Sequence, residues 1–314
     1  MSNLFLQKKT NIFILSVVLV LIALTVCGSF LDYEIAYAVY LGQQPSENIF
    51  GIIFSFIGII PTFVGWSFLG ASILTLSKKQ IESKKLRCWL MALSILLFVL
   101  SFFFFCNTIM MVNDSAFSVH WAIAYPVGIL VIVFVAILGY KLSIKSTNTD
   151  LLKIVLKLTL LSLVTMIIIM SSKNIMNRPR FRFVLESNNV DHFRNWWQSG
   201  KDIKQSLELT TVTDEFSSFP SGHSAYSMFA IFLFPALSGF ITKLEKYKPL
   251  LFVLGFIWWG LTAFSRLTVG AHYLSDVCIA GLVTLLSYGI VNLVLGIGKK
   301  SDKKPSVCHD TKSN

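Results

Sequence analysis

The sequence predicts an all-α protein, a polytopic membrane helix bundle with about eight transmembrane helices. Hydrophobic residues make up 54% of the 314 residues and charged residues only 14%, whereas soluble domains carry about 25% charged residues. Apolar runs such as residues 12–31 are long enough to cross roughly 30 Å of hydrocarbon as helices. The net charge of +11 is divided among short clusters between apolar runs, so it does not indicate nucleic-acid binding.

Eight apolar segments are candidate spans. The first follows Lys8 and Lys9 and exceeds the apolar region of a signal peptide, about 7–15 residues, so we expect it to remain as a first span. The predicted spans are residues 12–31, 50–76, 88–111, 120–142, 152–171, 223–241, 250–267 and 275–296. The sequence also predicts three regions: amino-terminal helices at 1–150, a second set of helices at 151–298 and a polar cytoplasmic tail at 299–314.

The basic residues predict the orientation of these spans. Nineteen lysines and arginines lie in the two termini and in alternate connections, at residues 8–9, 78–87, 141–157, 243–248 and 299–312. The first two opposite loops, around residues 32–49 and 112–119, contain Asp32, Glu34, Glu47 and Asp114 but no lysine or arginine. By the positive-inside rule, both termini are predicted to be cytoplasmic. We expect a multi-pass protein of the cell membrane.

The connection between the fifth and sixth spans is predicted to lie outside and is unexpectedly basic. It contains Lys173, Arg178, Arg180, Arg182, Arg194, Lys201 and Lys204. Such a cluster indicates either an anion site or a solvated loop, and charge alone favours neither. The five cysteines contain no short-spaced pair that would indicate zinc or a disulfide framework.

Ionisable residues also mark the ends of the last two spans. His272 and Asp276 are four residues apart, so on a helix they share one face and the carboxylate can hold the imidazole. That contact leaves the other ring nitrogen free to act as a nucleophile or base. Arg266, at the end of the preceding span, offers a planar fork suited to phosphate oxygens.

Two further motifs fall at span ends on the same predicted outer face. Ser221 and Gly222 precede a predicted helix, whose free backbone N–H groups favour an anion, and His223 is placed as a general acid. Lys173 and Arg180 add two positive charges there. Polar groups gathered at one membrane depth predict an assembled site.

The three motifs resemble the signatures of the type 2 phosphatidic acid phosphatase superfamily, which includes glucose-6-phosphatase and the vanadium haloperoxidases. Its proline-serine-glycine-histidine and serine-arginine-x5-histidine-x3-aspartate patterns match residues 220–223 and 265–276 at every defined position. Its lysine-x6-arginine-proline pattern matches Lys173 and Arg180, but Phe181 replaces the proline. The spacing favours Arg180 as the phosphate ligand, and Arg178 is the other candidate. The resemblance covers about residues 150 to 296.

The resemblance implies a phosphatase core in the C-terminal half and a metal-free reaction without a cofactor. His272 attacks phosphorus, Asp276 orients its ring and His223 protonates the leaving group. The phosphate is held by Lys173, Arg180, Ser221, Gly222 and Arg266. The expected substrate is a lipid phosphate or polyprenyl pyrophosphate taken from the bilayer, and no obligate protein partner is indicated.

Two alternatives remain open at this point. The same residues would serve a phosphotransferase that passes the phosphoryl group from His272 to a lipid or sugar. A transporter or scaffold that binds an anionic lipid without turnover would keep its binding after His272→Ala and would release no phosphate.

Overall fold

The computed structural model describes residues 2–44, 46–115, 121–207 and 214–296, and these form helices and connecting turns without a strand. The predicted tail at 299–314 lies outside the described residues. The α-helices are α1 (Ser2–Val39), α2 (Ile49–Ile57), α3 (Ile60–Gln80), α4 (Lys84–Ser115), α5 (Trp121–Lys145), α6 (Leu151–Met176), α7 (Phe181–Glu186), α8 (Lys201–Ser206), α9 (Gly222–Met228), α10 (Ala230–Ala236), α11 (Lys248–Thr268) and α12 (Leu274–Gly296).

Seven helical segments within the described ranges are long and apolar enough to cross a membrane, so the predicted all-α multi-pass fold is confirmed. They are Ile12–Val39, Ile49–Gln80, Lys84–Thr108, Tyr125–Lys145, Leu151–Glu186, Thr242–Thr268 and Leu274–Gly296. They correspond to seven of the eight predicted spans. The second of them contains two helices, α2 and α3. Pro61 lies at the beginning of α3, where its missing N–H leaves no helical hydrogen bond unmade.

The remaining predicted span, the sixth in chain order at 223–241, is not one long helix. The segment contains α9 and α10, which meet at Phe229, followed by a 3₁₀ helix. Phe229 keeps helical dihedral angles, with φ −55° and ψ −28°. Pro235 lies inside α10 and has no N–H to donate. Hydropathy alone could not separate this segment from an unbroken helix.

The two short helices nevertheless run the length of the bundle. At the start of α9, a methyl group placed on Gly222 would lie 3.7 Å from Cε of Lys173, near the C-terminal end of α6. Beyond α10, a methyl group placed on Gly239 would lie 3.3 Å from Cδ1 of Leu151, the first residue of α6. The α9–α10 pair therefore lies antiparallel to α6 in the bundle interior.

The amino-terminal helices pack directly against the helices of the C-terminal half. One continuous hydrophobic cluster includes Leu21 of α1, Trp66 of α3, Leu158 of α6 and Trp259 of α11. Trp66 also donates a 2.9 Å hydrogen bond from Nε1 to Oγ of Ser162 on α6. A shared core of this kind fixes the first helices relative to the last ones.

The first helix extends beyond its predicted end. The sequence predicts a polar outer loop from about residue 32, whereas α1 continues to Val39 with non-helical dihedral angles at Leu31, φ −126° and ψ 15°. Asp32 is 2% exposed. Its carboxylate is therefore a buried group of the bundle, and its use as a solvated loop residue in the orientation argument is corrected.

Candidate active site

Lys173 lies in the last turn of α6, which ends at Asn177 in a left-handed conformation, φ 45° and ψ 42°. Nζ of Lys173 donates a hydrogen bond to the backbone carbonyl of Ser217. This bond joins the first motif to the segment that leads into the second. The close approach of Lys173 to Gly222 places the same lysine beside the second motif.

Arg180 follows as a second cation and is held from two sides. Its backbone N–H donates to the carbonyl of Glu215 at 2.8 Å, and its Nη2 donates to Oδ1 of Asp214 at 2.7 Å. Its Nε is buried without a hydrogen-bond partner among the described residues. Arg180 therefore keeps one donor for a ligand.

Phe181, which replaces the proline of the superfamily pattern, is fully buried. Its ring makes edge contacts with Tyr33 of α1 and with Tyr40, just after α1, at centroid distances of 5.7 and 5.6 Å, and with Tyr273 at 6.1 Å. The departure from the pattern thus supplies an aromatic contact between the site loop and the amino-terminal helix.

Arg178 differs from Arg180 because its side chain is fully engaged within the protein. Its Nε donates to the carbonyl of Arg194 at 2.7 Å, and Nη2 donates to Oδ2 of Asp32 at 2.9 Å. Nη1 donates to Oδ1 of Asp276 at 2.6 Å and to Oγ of Ser275 at 3.0 Å. Every donor nitrogen of Arg178 has a protein acceptor, so the geometry favours Arg180 as the phosphate ligand.

The second motif begins α9 and contacts the third. Oγ of Ser221 accepts a hydrogen bond from the N–H of Ser224 as the N-cap, and the N–H of Ser221 donates to the carbonyl of Asp276 at 3.2 Å. His223 is half-buried. The positive charges of Arg266, Lys173 and Arg180 act on His223.

His272 lies in the turn between α11 and α12 and is 1% exposed. Its Nδ1 is 2.6 Å from the carbonyl oxygen of Ser218, and 3.9 Å from Oδ2 of Asp276. The longer distance is beyond a hydrogen bond. The spacing in the sequence predicts a direct hydrogen bond from the ring of His272 to the carboxylate of Asp276, and the structure does not show one. Because a carbonyl only accepts, Nδ1 carries the proton and Nε2 keeps its lone pair.

Asp276 reaches the ring through Ser218. Its Oδ2 accepts hydrogen bonds from Oγ of Ser218 at 2.5 Å and from the N–H of Tyr273 at 2.9 Å. The carboxylate therefore fixes the residue whose carbonyl holds His272. The sequence missed Ser218 because a backbone acceptor leaves no signature in residue type.

Arg266 lies in the last turn of α11, and its carbonyl accepts a hydrogen bond from the N–H of His272 at 3.2 Å. Its Nη1 donates to Oγ of Ser55 on α2, a contact that no sequence motif indicated. Like that of Arg180, its Nε is buried without a partner among the described residues. Two guanidinium groups thus keep an N–H donor in the region of the two histidines.

Burial lowers the pKa of His272 to about 3, and the neighbouring cations Lys173 and Arg180 act in the same direction. The ring is therefore neutral at neutral pH, as a nucleophile requires.

Within the described ranges, no group of three or more histidine, cysteine, aspartate or glutamate residues could hold a metal ion.

Residues 151–298 match the family model of the PAP2 superfamily. This match to the C-terminal half of the chain supports membership of the PAP2 superfamily. No curated protein and no solved structure matches the chain significantly. Family membership and the apolar helices together fit a membrane phosphatase, a hydrolase of phosphoric esters.

Proposed function

We propose that this protein is an integral membrane phosphatase that hydrolyses a lipid phosphate or a polyprenyl pyrophosphate through a phosphohistidine at His272, without a metal. One observation carries the proposal: a buried histidine with a free Nε2 lies in the same site as Arg180 and Arg266, whose Nε–H groups lack partners among the described residues. These groups are donors and a nucleophile for a single phosphate.

In the proposed reaction, Nε2 of neutral His272 attacks phosphorus and the bond to the leaving oxygen breaks. When the negatively charged phosphate group is bound beside it, His223 carries a proton and gives it to that oxygen. The Nδ1–H of His272 stays on the Ser218 carbonyl, and Asp276 stabilises the cationic ring through the same residue. Neutral His223 then takes a proton from water, which attacks phosphorus and releases His272.

The remaining site residues hold the oxygens of the transferring group. Lys173, Arg180 and Arg266 neutralise its charge, and the Ser221 and Gly222 backbone approaches it closely. Such electrostatic stabilisation is the main requirement of phosphoryl transfer. A lipid substrate is supported by the position of these groups at the end of long apolar helices.

The test is phosphate release by the purified protein from a panel of lipid phosphates and polyprenyl pyrophosphates, with a chelator present. We expect release by the wild type and none by His272→Ala. His192→Ala is the matched control, because His192 bonds Ser187 and Asn189 away from the site, and it should keep full activity. Loss of activity on chelation would exclude the metal-free reaction, and transfer to an added alcohol without phosphate release would identify a phosphotransferase.

The orientation is part of the proposal: cell membrane, both termini cytoplasmic and the site on the extracytoplasmic face. The path of α9 and α10 along α6 supports an even number of crossings. In a cysteine-free background, an impermeant thiol reagent applied to intact cells should label Trp197→Cys and leave Lys84→Cys unlabelled. The reverse pattern would place the site on the cytoplasmic face.

A further inference from the structure

Asp32 of α1 contacts the site although it lies outside the residues matched by the superfamily model. Its side chain is buried, and both oxygens are used. Oδ1 accepts the N–H of Ser275 at 2.9 Å. Oδ2 accepts Nη2 of Arg178 at 2.9 Å and the hydroxyl of Ser275. Asp32 therefore holds the first turn of α12 at its backbone.

Arg178 continues this chain of contacts to Asp276. Its Nη1 forms an ion pair with Oδ1 of Asp276 at 2.6 Å, between side chains that are both fully buried. Its guanidinium carbon also lies 4.1 Å from the centre of the Tyr273 ring. One guanidinium thus joins the carboxylate of α1 to the carboxylate that fixes Ser218 and His272.

The sequence of α1 makes this approach possible. A methyl group placed on Gly28 would lie 2.7 Å from Oδ1 of Asp32 and 2.9 Å from the backbone nitrogen of Ser275. Only glycine fits where α1 and α12 come this close. One residue later, Oγ of Ser29 accepts Nε1 of Trp196 at 2.9 Å, and Trp196 stacks on Phe219, the residue before the second motif.

We propose that Asp32 is a positioning residue of the active site: through Arg178 and Ser275 it fixes the carboxylate of Asp276, and through Asp276 it fixes the ring of His272. The amino-terminal helix is then part of the catalytic apparatus. The inference rests on the proposed function, since it assigns His272 its orientation for attack.

A purely structural role for Asp32 makes a different prediction. An ion pair that only joins α1 to α12 would change the amount of folded protein, whereas a positioning residue changes turnover in the protein that remains folded. A small displacement of a reacting group lowers the rate by about 100-fold. The effect should appear in kcat, because Asp32 does not touch the cations that bind phosphate.

The first experiment compares Asp32→Asn with Glu34→Gln in the purified full-length protein. Glu34 is exposed on the same helix, so its variant removes an equal charge nearby. With a short-chain lipid phosphate, we expect Asp32→Asn to lower kcat by about 10- to 100-fold with KM within about threefold. Glu34→Gln should keep wild-type values. An unchanged kcat in Asp32→Asn would overturn the proposal.

A second pair keeps the test decisive if Asp32→Asn does not fold. Gly28→Ala would displace Asp32 from Ser275, whereas nothing lies within 4 Å of a methyl group on Gly289 of α12. We expect Gly28→Ala to lower kcat and Gly289→Ala to leave it unchanged. Equal kcat values in the two variants would overturn the proposal.

A double-mutant cycle provides a readout that a structural role would not change. If Asp32 acts through Asp276, then Asp32→Asn added to Asp276→Asn should lower kcat by less than about twofold, because the orientation is already lost. A further loss as large as in the wild-type background would contradict the proposal. In that case Asp32 would act independently of Asp276.

Phosphate release by the wild type and by His272→Ala distinguishes failure of the proposed function from failure of the inference about Asp32. If the wild type releases no phosphate, or His272→Ala stays active, the proposed function fails. Asp32 is then tested with orthovanadate, which forms a five-coordinate group when an imidazole nitrogen approaches it, so its binding reports the orientation of the His272 ring and not only anion affinity. We measure the orthovanadate concentration that gives half of the maximal rise in the unfolding midpoint. This concentration should increase at least tenfold in Asp32→Asn and stay unchanged in Glu34→Gln. Equal responses of the two variants would overturn the inference.

Discussion

The two halves of the chain contribute to the site in different ways. The C-terminal half supplies the predicted nucleophile, general acid and phosphate ligands, in three motifs of defined spacing. The amino-terminal half has no motif, yet Asp32 contacts Arg178 and Ser55 contacts Arg266. Residues that meet the substrate are restricted by its chemistry, whereas residues that hold them are restricted only by packing. The first group is therefore readable from sequence and the second is not.

The largest expected effect is on stability and concerns the ion pairs that join the two halves. Arg178→Leu would leave Asp32 and Asp276 as buried carboxylates without their shared cation. Removing one partner of a buried pair costs about 3–5 kcal/mol. We expect a much lower unfolding midpoint, or no folded protein, measured by thermal unfolding in detergent.

Arg194→Leu is the control for this change, because Arg194 pairs with Asp202, whose side chain is 63% exposed. An exposed pair contributes about 0–1 kcal/mol, so we expect the unfolding midpoint of Arg194→Leu to change little. If Arg178→Leu were as stable as Arg194→Leu, the two halves would not depend on this cation.

Much of the fold could be predicted from the sequence, because lipid requires long apolar helices and the hydropathy pattern shows them. Seven such helices and the meeting of the three motifs followed from apolar runs and from polar residues at their ends. The break at Phe229 could not be predicted, because the hydropathy of residues 223–241 does not show where a helix is interrupted.

The supporting contacts of the site were missed for a different reason. The spacing of His272 and Asp276 predicted a direct contact, but α12 begins at Leu274 and His272 lies in the turn before it. Residues four apart therefore do not share a helix face here, and the Ser218 carbonyl accepts the hydrogen bond from Nδ1 of His272 instead. Asp32 gave one usable signal, a carboxylate at the end of a long apolar run.

The next prediction measures the contribution of a C-terminal residue that meets the substrate. Arg266→Ala removes a guanidinium whose Nε is free for phosphate among the described residues. Loss of one such donor lowers turnover by about 100- to 1000-fold, and we expect that loss in kcat/KM for phosphate release. Arg87→Ala, at the beginning of α4, should keep wild-type kcat/KM. Equal kcat/KM values in the two variants would show that Arg266 does not bind the phosphate.

The buried imidazole should also be visible in the pH dependence of stability. Burial holds the pKa of His272 at about 3 in the folded protein, while in the unfolded chain it is about 6.5. Between these values the unfolded state binds a proton that the folded state does not, so stability falls as the pH decreases from 6.5 toward 3. His272→Gln should flatten this decrease in the thermal midpoint. A variant with the wild-type slope would show that His272 is protonated in the folded protein.

The smallest expected effect belongs to an amino-terminal residue that holds a phosphate ligand. Oγ of Ser55 donates to the carbonyl of Gly51 and accepts Nη1 of Arg266, so Ser55→Ala leaves the guanidinium in place but less restrained. A hydrogen bond contributes about 1 kcal/mol, and we expect KM to rise about fivefold with kcat nearly constant. Ser77→Ala is the control, because its hydroxyl bonds Leu74 within its own helix. A change in kcat instead of KM would mean that Ser55 acts on the reacting groups, as Asp32 is proposed to do. The two amino-terminal contacts would then not differ in the step that they affect.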